Sequence, residues 1–134
     1  MSTLLVTHPA CFQHDTGEYH PECAERLKVI LEALDGEEFQ SLRREAAPLA
    51  SMEQILRAHA MGHVDFVRDN MPAAGSHGHL DPDTVVSEGS WEAALRSAGA
   101  VVFAGGEALS ASAVAPERVA SAHIILLWRR RRWR

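Results

Sequence analysis

Three groups of imidazoles and carboxylates in this 134-residue chain have the residue types and spacing to do chemistry. In "SHGHLDPD", His77, His79, Asp81 and Asp83 recur at every second position, and imidazoles alternating with carboxylates are donors that suit zinc. In "HDTGEYHPE", His14, His20 and Glu22 crowd a stretch that also holds Gly17. Those side chains would serve equally to hold a metal ion or to fasten a long loop by hydrogen bonds. The third group is His59 and His63, which would share one face of a continuous helix, although Gly62 between them argues for a helix end. Spacing alone favours the plainer account each time: a polar loop at 76–83, a hydrogen-bonded loop at 14–22, and one helix-end and one solvated histidine. No Gly-x-Ser-x-Gly elbow and no Gly-rich phosphate loop is present.

The elements that must position these groups follow from apolar periodicity. "TLLV", residues 3–6, reads as a buried first strand that ends at His8-Pro9 and feeds a loop running to about residue 21. A helix is predicted after Pro21, with Glu22 and Glu25 in its first turn, Leu27, Ile30, Leu31 and Leu34 on one face and Gly36 as its stop. Ser51 and Gln54 have capping-box spacing, so a second helix begins there, with Met52, Ile55, Leu56 and His59 on one face and Gly62 as its break. Residues 63–71 predict a short helix with Val64, Val67 and Met71 inward, and "PAAGSHGHLDPD" a turn-rich loop. From Ser90 a long helix is predicted with the stripe Trp91, Ala94, Leu95, Ala98, Val101 and Val102, bent or ended at Gly105-Gly106.

A chain of this length suits one domain. Taking the five arginines of 129–134 from the 13 basic residues leaves eight against 18 acidic ones, so the body carries −10 beneath a net −5. An acidic body argues against a nucleic-acid partner and tolerates a cationic one. The apolar runs are too short to span a bilayer, and the N-terminus lacks a basic leader, so no membrane partner and a cytoplasmic location are expected. In that reducing compartment Cys11 and Cys23 would be free thiols. The segment 119–134, "VASAHIILLWRRRRWR", departs in composition from 1–118 and is set apart as an atypical Arg/Trp tail.

Three segments, in order, resemble the beginning of the zinc-dependent histone deacetylase family, especially bacterial members that act on acetylated lysine-like amines and polyamines: "HDTGEYHPECAERLKVILEAL", "QILRAHAMGHVDFVRDN" and "LDPDTVVSEGSWEAALRSAGAVV". The resemblance implies an α/β fold, the N-terminal fragment of a three-layer doubly wound parallel-sheet (arginase/deacetylase-like) domain that is mostly helical as present. It implies one or two strands and about four helices, spanning residues 1–118. It also implies a loop whose His14, Gly17, His20 and Glu22 fix it against the active-site mouth. Arg26 matches an arginine that lines an acetate channel, and Asp83 a rim aspartate that accepts backbone N–H bonds from an acetylated lysine peptide or polyamine substrate. Cys23 and Ala24 stand where the family commonly has a proline before the arginine, and His63 where an aromatic is more usual.

Zinc is the family's cofactor, held and assisted by a His-His pair, an Asp-x-His, a further Asp and a Tyr. This chain has no His-His and no Asp-x-His, and its one tyrosine is Tyr19 in the first loop. No catalytic residue, no metal ligand and no bound zinc are therefore expected, and the chain should be inactive alone. Codons for 119–125 read two bases later permit Val-Arg-Pro-His-His, close to the family's Arg-Pro-Pro-Gly-His-His block, so an out-of-frame tail is one expectation. Two other classes stand beside the deacetylase reading: a small acidic binding module for a cationic partner, and a metal-binding protein using the His77–Asp83 loop.

Overall fold

The structure, a computed structural model, describes residues 3–114; the tail set apart at 119–134 lies outside the described residues. Leu4–Thr7 form β1, one residue later than the apolar run suggests, with Leu5 buried. β1 pairs in parallel with β2, Arg43–Ala46, in the register Leu4↔Arg43 to Thr7↔Ala46. Parallel neighbours need a crossover, and here it contains α1, Ala24–Ala33. Nothing in Arg43-Arg44-Glu45-Ala46 alternates apolar with polar, which is why β2 has no sequence signal. Its backbone is recruited by β1, and its charges stay outside in ion pairs: Arg43 with Glu45 (3.0 Å) and Glu107 (2.7 Å), and Arg44 with Asp35 (3.1 Å).

α1 starts later and ends earlier than its glutamates and Gly36 predict. Cys23 is still extended at the N-cap, so Glu22 stays in the loop and Glu25 alone places a carboxylate in the first turn. Leu27 is its buried anchor. Arg44 donates to the Leu34 carbonyl and so occupies one of the acceptors left over at the helix end.

Ser51 caps α2, Met52–Leu56, through a reciprocal box: the Gln54 N–H donates to Ser51 Oγ (3.2 Å) and the Ser51 N–H to Gln54 Oε1 (2.8 Å). The break that follows is not at Gly62. Helical geometry is lost at Ala60, whose extended backbone starts α3, Met61–Asp69, with Gly62 inside its first turn and Val64 buried.

The predicted loop at 72–83 is corrected as well. Its second half is β3, His77–Asp81, which pairs antiparallel with β4, Thr84–Ser87, through His77↔Ser87, Gly78↔Val86 and His79↔Val85, with an irregularity between His79 and Asp81. The β-branched run Thr84-Val85-Val86 supplies the strand propensity, and Asp81 turns the chain by accepting from the Asp83 N–H and the Thr84 hydroxyl, both at 2.8 Å. The described residues thus hold four strands, where one or two were expected, in two separate pairs.

α4 runs from Ser90 to Val114 straight through Gly105-Gly106. Its buried face is also not the predicted stripe. Ala93, Ala100 and Ala104 are buried, whereas Ala94 is exposed and Val102 is 42% exposed. The reason is how closely α4 approaches residues 48–50: a Cβ on Gly99 would stand 1.9 Å from the Pro48 carbonyl oxygen, so only the small-residue face fits. Two bonds fasten the contact, the Ala50 N–H to the Leu95 carbonyl (3.0 Å) and Arg96 Nη1 to the Ala47 carbonyl (2.9 Å). α4 also packs on β1 and on a 3-10 turn at Pro9–Gln13, which α1 meets as well. The result is a mixed α/β architecture with a helix-linked parallel strand pair. No helix among the described residues is long and apolar enough to cross a membrane.

Candidate functional site

The loop from His14 to Glu22 is fastened by polar groups. Within the loop, the Gly17 N–H donates to Asp15 Oδ1 (2.9 Å), the Thr16 hydroxyl to the Glu22 carbonyl, and the Glu22 N–H to His20 Nδ1 (3.1 Å). Gly17 has φ +81°, a left-handed turn that glycine enters without steric cost. Tyr19, at φ +66° and 98% exposed, holds a left-handed backbone that costs a side-chain-bearing residue about 1–2 kcal/mol. Bonds on either side of it, from the Thr16 hydroxyl to the Glu22 carbonyl and from the Glu22 N–H to His20 Nδ1, keep it there.

Outward, the loop is tied to β4 and to the first residue of α4. Ser87 Oγ accepts from the Asp15 N–H (2.9 Å) and donates to the Gln13 carbonyl (3.1 Å). The Ser87 N–H donates to Ser90 Oγ (2.8 Å), and Ser90 Oγ lies 2.7 Å from His14 Nδ1. Ser87 Oγ and Ser90 Oγ are also 3.2 Å apart, so His14, Ser87 and Ser90 form one hydrogen-bonded group. Both serines are buried, at 5% and 6% exposure. Burial pushes the His14 pKa down from 6.5, against the opposing pull of Glu22. Asp15 Oδ2 meets His77 Nε2 at 3.0 Å on β3, and the Asp15 carboxyl is held below its usual 3.8, first by the Gly17 N–H and then by His77.

Of the residues singled out in the sequence, His14, Gly17, His20 and Glu22 therefore lie in one bonded loop. Asp83 is exposed in the turn between β3 and β4. Arg26 is exposed near the start of α1, with Nη1 3.4 Å from the Pro21 carbonyl oxygen. His79 is exposed on β3, two residues from the His77 that pairs with Asp15. Among the described residues no group of three or more His, Cys, Asp or Glu side chains is placed to hold a metal ion. Cys11 and Cys23 are free thiols, and burial pushes the Cys11 thiol up. His59 and His63, expected to be separated by a helix break, stand with ring centroids 5.4 Å apart.

Sequence reasoning missed Asp15, Thr16, Ser87 and Ser90. Ser90 carried a signal as a serine opening an apolar helix, but a cap signal points along its own helix and not to a histidine 76 residues earlier.

The sequence profile of the histone deacetylase domain matches residues 20–122, most of the chain. The chain belongs to the histone deacetylase family. A probable deacetylase of Methanothermobacter thermautotrophicus (strain Delta H) is 29% identical over 106 residues, covering 79% of this chain and 31% of that protein. The crystal structure of the HDA15 HD domain superposes with a TM-score of 0.71 at 20% identity, over 82% of this chain and 33% of that one. That likeness shows the deacetylase-domain fold, and the chain spans about a third of the length of each relative.

Proposed function

We propose that this chain forms part of the entrance wall of a deacetylase-type site for an acetylated amine, either an acetyl-lysine peptide or an acetylated polyamine, and that it binds without hydrolysing. The observation that carries this reading is the tether from His14 and Asp15 to Ser87, Ser90 and His77, which makes the first loop, the β3–β4 hairpin and the start of α4 one bonded unit. A wall that must select an extended substrate gains from such pre-organisation, because less order is lost on binding. Asp83, at the tip of the hairpin, would accept substrate backbone N–H groups, and an ionised acceptor makes the stronger kind of hydrogen bond. The Arg26 guanidinium would attract a departing acetate.

The inventory of 134 residues, without His-His or Asp-x-His and with Tyr19 as its one tyrosine, supports holding and orienting as the roles of this chain's own groups. No step through zinc is assigned to them. The test is calorimetric binding of an acetyl-lysine peptide, alongside hydrolysis of a fluorogenic acetyl-lysine substrate. Binding without turnover is expected, weakened about tenfold in Asp83→Ala, since a hydrogen bond to a charged group contributes about 1.5–3 kcal/mol. Turnover by this chain, undetectable binding, or an affinity indifferent to Asp83→Ala would overturn the proposal.

A further inference from the structure

His59 and His63 lie on either side of a helix junction, yet their rings come together. α2 ends at Leu56, and His59 is held in the connection by its N–H bond to the Ile55 carbonyl (3.1 Å). His63 is the third residue of α3, held by its N–H bond to the Ala60 carbonyl (3.0 Å). Both backbones are thus anchored, both residues are exposed, and the ring centroids are 5.4 Å apart with planes tilted by 30°. The ionic side chains nearest in sequence are already paired, Glu53 with Arg57 and Asp65 with Arg68, both at 2.8 Å. What this surface offers is two imidazoles.

That separation is meaningful for coordination chemistry. With a zinc–nitrogen bond of about 2.0–2.1 Å, the ring centroid lies roughly 3.2 Å from the ion, and a tetrahedral angle sets two such centroids about 5.2 Å apart. A right-angled arrangement would need about 4.5 Å. The observed 5.4 Å is therefore close to the tetrahedral case, reached by a ring movement of a few tenths of an ångström.

We propose that His59 and His63 chelate a tetrahedral divalent transition ion of the zinc class, with water completing the coordination. Imidazole donors suit such an ion better than magnesium or calcium, which take oxygen ligands. Because the second imidazole is held on the same scaffold, it binds as an intramolecular partner, so losing either ring weakens binding at least about tenfold. The proposal does not depend on the deacetylase reading and needs no activity measurement.

The experiment is calorimetric titration of the full chain with zinc alone, for the unaltered protein and for His59→Gln, His63→Gln and His77→Gln. One equivalent of zinc is expected, lost in the first two variants and kept in His77→Gln, with far-ultraviolet circular dichroism confirming that each variant folds. In the unaltered chain, zinc should shift the imidazole NMR signals of His59 and His63 ahead of the other histidines. No uptake, uptake indifferent to His59→Gln and His63→Gln, or uptake lost only in His77→Gln would overturn the assignment.

Discussion

Replacing Gly99 and Gly105 by alanine, one at a time, should move stability in opposite directions, although both glycines lie in the interior of α4. In a helix interior alanine is favoured over glycine by about 1 kcal/mol, and that gain is common to both sites. A Cβ on Gly105 meets nothing within 4 Å, so Gly105→Ala should stabilise by up to about 1 kcal/mol. A Cβ on Gly99 would stand 1.9 Å from the Pro48 carbonyl oxygen, 2.8 Å from its carbon and 2.9 Å from the Ala50 nitrogen. All three are backbone atoms, so no flexible side chain can yield. The helix must move off the 48–50 segment, which strains the Ala50–Leu95 and Arg96–Ala47 bonds that join the two. Forcing an extra carbon into a packed contact costs about 1–3 kcal/mol, and backbone opposition places this site at the upper end. Urea unfolding of the full chain, followed by circular dichroism, should therefore put Gly99→Ala about 2–3 kcal/mol below Gly105→Ala. If both substitutions stabilised equally, α4 would not lie on Pro48 as described, and the account of its buried face would fail with it.

Ser90→Ala removes the hydrogen-bond partner of His14 Nδ1 and the acceptor of the Ser87 N–H together, and should cost about 1–3 kcal/mol in the same assay; a loss below about 0.5 kcal/mol would mean that water replaces the hydroxyl and the tether is weak. Acidification should act through the same place. His14 has a folded pKa below its unfolded 6.5, so the unfolded chain binds the proton first, and this contribution is intact above about 6.5 and lost as the pH falls below it. Stability measured from about pH 7.5 down to about pH 5.5 should therefore decline, with a shallower slope in His14→Gln; identical slopes would remove His14 as the cause. Asp15, whose carboxyl is depressed below 3.8, loses its contribution only at lower pH, as protonation passes through its folded value.

What the sequence reveals of this fold depends on how local each determinant is. Ser51 and Gln54 announce α2 because both halves of the capping box lie within one turn, and Val64 is legible as inward because a short surface helix needs an apolar face. β2 could not be read that way. Arg43–Ala46 becomes a strand because β1 offers it a ladder, and the pairing partner of Arg43 is Leu4, far back in the chain. Polar β3 is likewise drawn into a hairpin by Thr84-Val85-Val86. In α4, hydropathy marked the large side chains as the inward face, whereas close approach to Pro48 selects the smallest ones, a steric criterion that hydropathy does not weigh.

The same distinction separates the legible half of the site from the hidden one. His14, Gly17, His20 and Glu22 stood out because imidazoles, a turn glycine and a carboxylate in one short stretch are visible as a group. Their local bonds, such as the Glu22 N–H to His20 Nδ1, span only two residues. The bonds that fix the loop's position span more than 70, from Asp15 to Ser87 and from His14 to Ser90, and serine is too common to mark its distant partner. Apolar packing would tolerate sliding, whereas these directional bonds do not. A Cβ on Gly89 would stand 2.3 Å from the Gln13 carbonyl oxygen, so the two backbones meet with no room for a side chain between them. The loop's register is therefore set by where α4 begins, and α4 is in turn set by Gly99 against Pro48. Perturbing that distant contact should displace the loop, which makes the glycine on α4 as much a determinant of the loop's position as His14 and His20.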